Sequence, residues 1–252
     1  MHTPSEITTE QTNRYIVLCV ICLGSCLSPL SMAAVSIAIP SLANALQADA
    51  VLVSWLPTAF LLSNVALMLP FGKLADNYGR KRIYALGLTT NACGSLAAYL
   101  SPSIEWILFF RFLQGAGSAM IFGTALAIVT SVFDARERGL PLGLNTASVY
   151  IGLTAAPVLG GWITEAFGWR AVFLLPLPFT AILLLVIHFF LHSEWRKDTH
   201  SSFDWVGTFI FAGWALSLVI GLTGLPQWHS IAALLLSCCL LVLFIKHQAG
   251  NP

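Results

Sequence analysis

Eight long apolar runs limit what this chain can fold into more than any other feature. They occupy residues 16–39, 52–71, 83–100, 104–133, 142–163, 171–191, 205–222 and 231–244. A helix needs about 20 mostly apolar residues to cross the hydrocarbon of a bilayer. Inside that hydrocarbon each backbone N–H and C=O must be bonded within the segment, which selects helices over open strands. Composition points the same way: 9% of the residues are charged, against about 25% in soluble domains. Too few polar side chains remain to cover a surface in water, so a lipid bilayer is the expected surround. A net charge of +1, with no clustered basic face, argues against a nucleic-acid partner.

The densest polar interruption is GKLADNYGRKR at 72–82, which holds Lys73, Arg80, Lys81, Arg82 and one carboxylate, Asp76. Its glycines, Gly72 and Gly79, permit backbone turns and close approach that a Cβ would block. Cationic connections stay on the cytoplasmic side of a membrane. With this stretch inside and the runs alternating, Arg14, Lys73, Arg80, Lys81, Arg82, Arg136, Arg138, Arg196, Lys197 and Lys246 also fall inside, Arg170 falls outside and Arg111 lies within a run. That bias predicts a multi-pass cell-membrane protein with both termini cytoplasmic. A second stretch, GWITEAFGWR at 161–170, aligns with 72–81 without gaps. Gly72 matches Gly161, Asp76 matches Glu165, Tyr78 matches Phe167 and Gly79 matches Gly168. Each copy follows the second run of a group of three, on opposite sides of the membrane, which is the pattern of a three-plus-three inverted repeat.

Within the runs, polar and small residues stand out. The fourth run contains RFLQGAG, Arg111 to Gly117. An arginine inside a span costs about 2.5–3.5 kcal/mol on insertion scales, so it faces a cavity or a partner. The plainer alternative is snorkelling to the outer surface, about 10 Å away at 1.5 Å per residue. Gln114 shares the face of Arg111. Ser31, Asn64, Asn145 and Tyr150 are further cavity candidates as polar residues within runs. Gly115, Ala119, Gly123 and Ala127, then Ser148, Gly152, Ala156 and Gly160, form four-residue stripes that let helices approach closely in lipid. Pro157 removes a backbone donor beside the second stripe. The cysteines lie inside apolar runs and read as small packing residues. His188 and His192 have ligand spacing but no third ligand, so neither metal nor cofactor is expected. No nucleophile–base arrangement appears at the run ends, which sets an enzyme aside.

These motifs carry a family resemblance. GKLADNYGRKR resembles the loop 2–3 motif of the major facilitator superfamily at Gly72, Asp76, Gly79, Arg80, Lys81 and Arg82. RFLQGAG is similar to its fourth-helix motif at Arg111, Gln114, Gly115 and Gly117. GLTAAPVLGG at 152–161 is similar to the antiporter motif of the fifth helix at Gly152, Pro157, Gly160 and Gly161, with Ala156 where that motif has Gly. Phe203-Asp204-Trp205 with Gly207 resembles the start of the extra helix pair in the fourteen-helix drug:proton antiporter branch. Where that branch carries an Asp in its first helix this chain has Ser31, which does not titrate.

The resemblance implies an all-α integral membrane fold of eight spans: a six-helix half-bundle plus two extra helices. The expected divisions are a cytoplasmic tail at 1–14, a transporter half at 15–192, a cytoplasmic loop at 193–204 and a hairpin at 205–252 that ends without the family's second half. It implies export of small amphipathic organic compounds by alternating access. The 72–82 loop would latch the inward gate against a complementary half, with Arg80 and Asp134 in one charge cluster. Arg111 and Gln114 would line the cavity, and the stripe of the fifth run would pack against the opposite half. The alternative is a half-transporter without transport of its own, acting as an assembly subunit.

Overall fold

The computed structural model describes residues 4–191, 194–195, 204–223 and 228–250. Arg196, Lys197, His192 and Phe203 therefore lie outside the described residues. The rest is helical: α1 (Pro4–Leu46), α2 (Ala50–Tyr78), α3 (Arg80–Leu100), α4 (Ile104–Val132), α5 (Gly139–Phe167), α6 (Pro176–Phe190), α7 (Trp205–Thr223) and α8 (Trp228–Gly250). A 3₁₀ turn, Trp169–Leu174, precedes α6. Pro176 and Pro178 supply no N–H to Val172 and Leu174, so the α ladder restarts only at Pro176. This is why the sixth helix begins later than its apolar run.

Among the described residues, six helical segments are long and apolar enough to cross a membrane, one of them joining the 3₁₀ turn to α6. α3 falls short of that measure because its first turn is Arg80-Lys81-Arg82 and its middle is Thr89-Thr90-Asn91. Asn91 and Ser95 are nevertheless buried, against α4. A helix covered by its neighbours tolerates polarity that one facing lipid does not. α7 is apolar but shorter over 206–222.

Packing follows the inverted repeat. α2 runs along α4 as α5 runs along α1, and α3 packs on α4 as α6 packs on α1. Exchanging α1–α3 for α4–α6 maps each pairing onto another. The extra hairpin, α7 with α8, leans on α2. Apolar side chains such as Ile21, Ala34, Leu42, Ile107, Ile128 and Val172 are buried between the helices, while Val158, Ile151, Leu235 and Phe209 face outward. Outward apolar surface is the normal state of a bundle whose solvent is hydrocarbon. Tyr84 of α3 is buried and donates from its hydroxyl to Val20 O of α1 at 2.9 Å. Gly24 makes room for it, since a Cβ there would strike the phenol.

The stretch at 72–82 is a corner rather than a polar loop. α2 continues to Tyr78 and α3 starts at Arg80, which leaves one residue, Gly79, at φ +110° and ψ 128°. Gly72 lies inside α2, where its absent Cβ would sit 3.4 Å from Gly123 O of α4. Only Gly79 turns the chain; Gly72 serves close packing.

Candidate functional site

Every cation of the corner is engaged. Arg80 donates from Nε and Nη2 to Asp76 Oδ1 at 2.9 and 2.7 Å, and from Nη1 to Ala127 O at 2.8 Å and to Ser131 Oγ. One guanidinium thus joins the end of α2, the start of α3 and the last turns of α4. Ala127 and Ser131 lie in the last two turns of α4, where the helix dipole favours a cation. Arg138, just after α4, reaches back to Phe133 O and Thr130 O at 2.9 and 2.7 Å. The same end of α4 is therefore held by two arginines from different connections, and Arg138 caps its free carbonyls.

Lys81 Nζ donates to Leu191 O, at the end of α6, at 2.6 Å. Glu194 follows, and its carboxylate lies over the start of α3, accepting from Lys81 N at 2.9 Å and facing Arg82 Nε at 3.5 Å. Arg80 N donates to Trp195 O at 2.9 Å. A carboxylate at a helix start meets both free N–H groups and the favourable end of the dipole. Lys73 faces Asp204 at 3.7 Å. Asp204 also accepts from Gly207 N at 2.8 Å and Gln248 Nε2 at 3.1 Å, and lies 2.9 Å from His247 Nε2. These bonds, the backbone one first, hold its carboxyl below the usual carboxylate range. Asp204 thereby joins both ends of the extra hairpin to α2.

Asp134 does not join this cluster, which corrects the expected Arg80–Asp134 grouping. It stands exposed past α4 and forms no ion pair among the described residues. The donors of Arg80 are taken by Asp76 and by the end of α4. The sequence pattern missed Glu194 and counted Arg138 only for its charge. A lone acid after a run carries no motif, and the bonds of Arg138 become visible only once α4 has an end.

The second cluster is buried. Arg111 and Gln114 are wholly inaccessible. Arg111 Nε donates to Leu56 O at 3.3 Å and Nη1 to Gln114 Oε1 at 2.9 Å, and the guanidinium lies 4.6 Å from the centre of the Phe60 ring. Gln114 Nε2 donates to Ser95 Oγ at 2.7 Å, and Asn91 Nδ2 donates to Gln114 O at 3.2 Å. Arg111 therefore neither snorkels nor lines an open cavity. It is the centre of a polar network joining α4 to α2 and α3, and its Nη2 has no partner among the described residues. Ser31 is buried on α1, Asn64 is half-buried on α2 and Asn145 is buried on α5. Ser31 and Asn145 therefore lie on no open wall. Tyr150, 63% exposed, points outward from α5.

The small-residue stripes seat helices on each other. A Cβ at Gly115 would fall on Phe60 O of α2, and one at Gly123 would lie 2.8 Å from Met68 O. Gly117 makes the same room for α3, 2.7 Å from Gly87 O. On α5 a Cβ at Gly152 would fall on Cys26 O of α1, and one at Gly160 would sit 2.9 Å from the Ala34 Cα. Ala156, between them, is fully buried. The α5 stripe is thus covered by α1, not held free for an opposite half. Pro157 faces outward, and nothing approaches the place of a Cβ on Gly161.

Comparison with known proteins agrees with this architecture. The profile described as the Major Facilitator Superfamily matches residues 21–246. The riboflavin transporter RibZ of Clostridioides difficile is 34% identical over 79% of this chain and 44% of its own length. The multidrug resistance protein Stp of Mycobacterium tuberculosis is 29% identical over 86% of this chain and 42% of its own. The tetracenomycin C resistance and export protein of Streptomyces glaucescens is 28% identical over 84% of this chain and 39% of its own. The chain thus spans less than half the length of each of these relatives.

Proposed function

Because the chain belongs to the major facilitator superfamily, we propose that it is the first part of a secondary transporter that exports small amphipathic organic compounds by alternating access. The basic corner carries this reading. Arg80 bonded at once to Asp76 and to the end of α4 is a rigid, charged knuckle between two helices, suited to latching a moving partner. In this reading the corner lies in the cytoplasm, both termini with it, in the cell membrane. Gly72, Asp76, Gly79, Arg80, Lys81 and Arg82 form the latch against a complementary half. Tyr150, exposed on α5, is the polar residue free to meet substrate. Arg111 and Gln114 position α2 and α3 rather than touch cargo. Relatives named as a riboflavin transporter, a multidrug resistance protein and a tetracenomycin C resistance and export protein support a small organic cargo. The apolar run 16–39 of α1 holds Ser31 and no carboxylate, so in this reading antiport of protons draws on groups outside that run.

The second reading, an assembly subunit, is favoured by the broad apolar surface of α5, where Val158 is 73% exposed and Ile151 63%. One experiment separates them. The chain is reconstituted in liposomes, alone and with the second half of the 34% identical relative, and uptake of ethidium or riboflavin is followed under a proton gradient. Transport lost on Arg80→Gln and Asp76→Asn is the expected result. Flux by the chain alone places transport in this chain, and flux only with the second half added means that it has no transport of its own and supplies one part of the assembled transporter. Flux equal to protein-free liposomes in both cases overturns the proposal.

A further inference from the structure

Arg170 is the single cation that the charge pattern leaves on the face opposite the basic corner, and neither the motifs nor the proposed transport uses it. Its surroundings repeat those of the corner. α2 spans 50–78 and α5 spans 139–167, both of 29 residues, a constant displacement of 89 along the chain. Gly79 and Gly168, one residue past each helix, have φ +110° and +83°, and each donates its N–H to the carbonyl four residues back, Ala75 O at 2.9 Å and Thr164 O at 3.1 Å. Two residues on stand Lys81 and Arg170. Lys81 donates to Leu191 O, the C-cap of α6. Arg170 Nη2 donates to Ser101 O, the C-cap of α3, at 2.9 Å. The bonds are reciprocal. The cation opening α3 holds the end of α6, and the cation opening the 3₁₀ turn before α6 holds the end of α3. Each satisfies a carbonyl that the helix cannot. Arg170 is further fixed over the ring of Trp169 at 4.2 Å, and Trp169 is itself buried.

We propose that Arg170 is a positioning residue that ties α3 to α6 at the face opposite the basic corner, as Lys81 ties the same two helices at the corner, so that the two three-helix repeats move as one unit. Hydrogen bonding to one carbonyl is all that the tie requires, and Lys81 achieves it with an ammonium. Arg170→Lys therefore retains it. Arg170→Gln, shorter and neutral, and Arg170→Ala lose it.

The test reads distances between spin labels in the membrane-embedded chain, with the six free cysteines first replaced. One pair, at Leu100 and Phe179, reports the face opposite the corner; the other, at Leu86 and Phe189, reports the corner face. All four positions are exposed. Arg170→Ala and Arg170→Gln are expected to replace the narrow distance of the first pair with a longer, broader one and to leave the second unchanged. Lys81→Ala should do the reverse, and Arg170→Lys should match the parent chain at both pairs. A first pair unchanged in Arg170→Ala and Arg170→Gln overturns the proposal. So does a loss of order at both pairs that Arg170→Lys does not repair, since that is a general folding defect. No transport is measured, so this outcome is independent of whether the chain carries cargo.

Discussion

The two helix corners share a backbone and differ in chemistry. At Gly79 and at Gly168 a 29-residue helix stops, a glycine takes a positive φ, and a cation two residues later reaches a distant helix end. At the first corner, Arg80 adds two hydrogen bonds to one oxygen of Asp76 and a bond into α4. At the second, the aligned residues are Glu165 and Trp169, and Trp169 is buried as packing. Fold symmetry therefore preserves the turn and the tie. The Arg–Asp knuckle stands at one face only. What both corners share is separable from what the first corner adds.

The largest expected contrast lies in the glycines. A side chain at either one meets a backbone region that costs about 1–3 kcal/mol for non-glycine residues. Around Gly168 nothing lies within 4 Å of a Cβ, whereas at Gly79 the Cβ would sit 2.6 Å from the carboxyl carbon of Glu194. Gly79→Ala must therefore push Glu194 off Lys81 N and Arg82. It is expected to cost about 3 kcal/mol, against about 1–2 for Gly168→Ala, with backbone strain the shared part. Thermal unfolding in detergent measures both. Equal losses would remove Glu194 from the account of the corner.

Next come the helix seams, where symmetry predicts equality. Gly115→Ala and Gly152→Ala each drive a methyl onto a backbone carbonyl of the facing helix. Overpacking of this kind costs about 1–3 kcal/mol, partly offset by the better helix propensity of alanine, up to about 1 kcal/mol. A net loss of about 2 kcal/mol is expected for each. Gly161→Ala, with open space around it, should be neutral or slightly stabilising. A cost at Gly161 as large as at Gly152 would mean that α5 buries a face other than the one on α1.

A smaller effect separates the cations of the corner. Arg80→Lys keeps the charge but replaces a planar fork with one ammonium, which cannot serve Asp76 and Ala127 O together. About 1–2 kcal/mol of stability is expected to go, the scale of one charge-assisted hydrogen bond. Arg82, 77% exposed and 3.5 Å from Glu194, should tolerate alanine with a change of about 0.5 kcal/mol or less. Chemical unfolding of the two variants side by side gives the ratio, and a larger loss at Arg82 would invert the roles given to them.

How much of this was legible in the chain follows from which interactions are local. The eight helices, the gapless repeat and the close approach at Gly115, Gly117, Gly152 and Gly160 come from spacing, and spacing is visible in a string. The partner of a stripe is not. Gly152 reads the same whether it meets α1 or a second half, and only the fold puts Cys26 O against it. The burial of Arg111 was hidden for a like reason. Its partners Leu56 O and Phe60 lie on α2, far off in sequence, and a carbonyl oxygen has no letter. Arg80 suggested an acid as its partner, yet α4 answers with Ala127 O rather than Asp134. Helix ends offer acceptors that residue types do not announce.

The smallest effect concerns a link that one corner has and the other lacks. Lys73, just before the Gly79 corner, meets Asp204 of the extra hairpin at 3.7 Å with both side chains partly exposed. A pair of that kind contributes about 0.2–1 kcal/mol. The carboxyl of Asp204 is held below its ordinary value of 3.8 by Gly207 N–H first and His247 next. A depressed carboxylate stabilises the docked state above the ordinary value, and that contribution disappears as pH falls through the lowered one. Hydrogen exchange at the first turn of α7, after correction for intrinsic rates, should therefore be slow above the ordinary carboxylate range, about pH 4. Below that it should accelerate. Asp204→Asn should show the faster exchange at every pH, while Glu165→Gln on the other corner should change nothing in α7. Protection that Asp204→Asn leaves intact would mean that apolar contact between α2 and α7 holds the hairpin without the carboxylate.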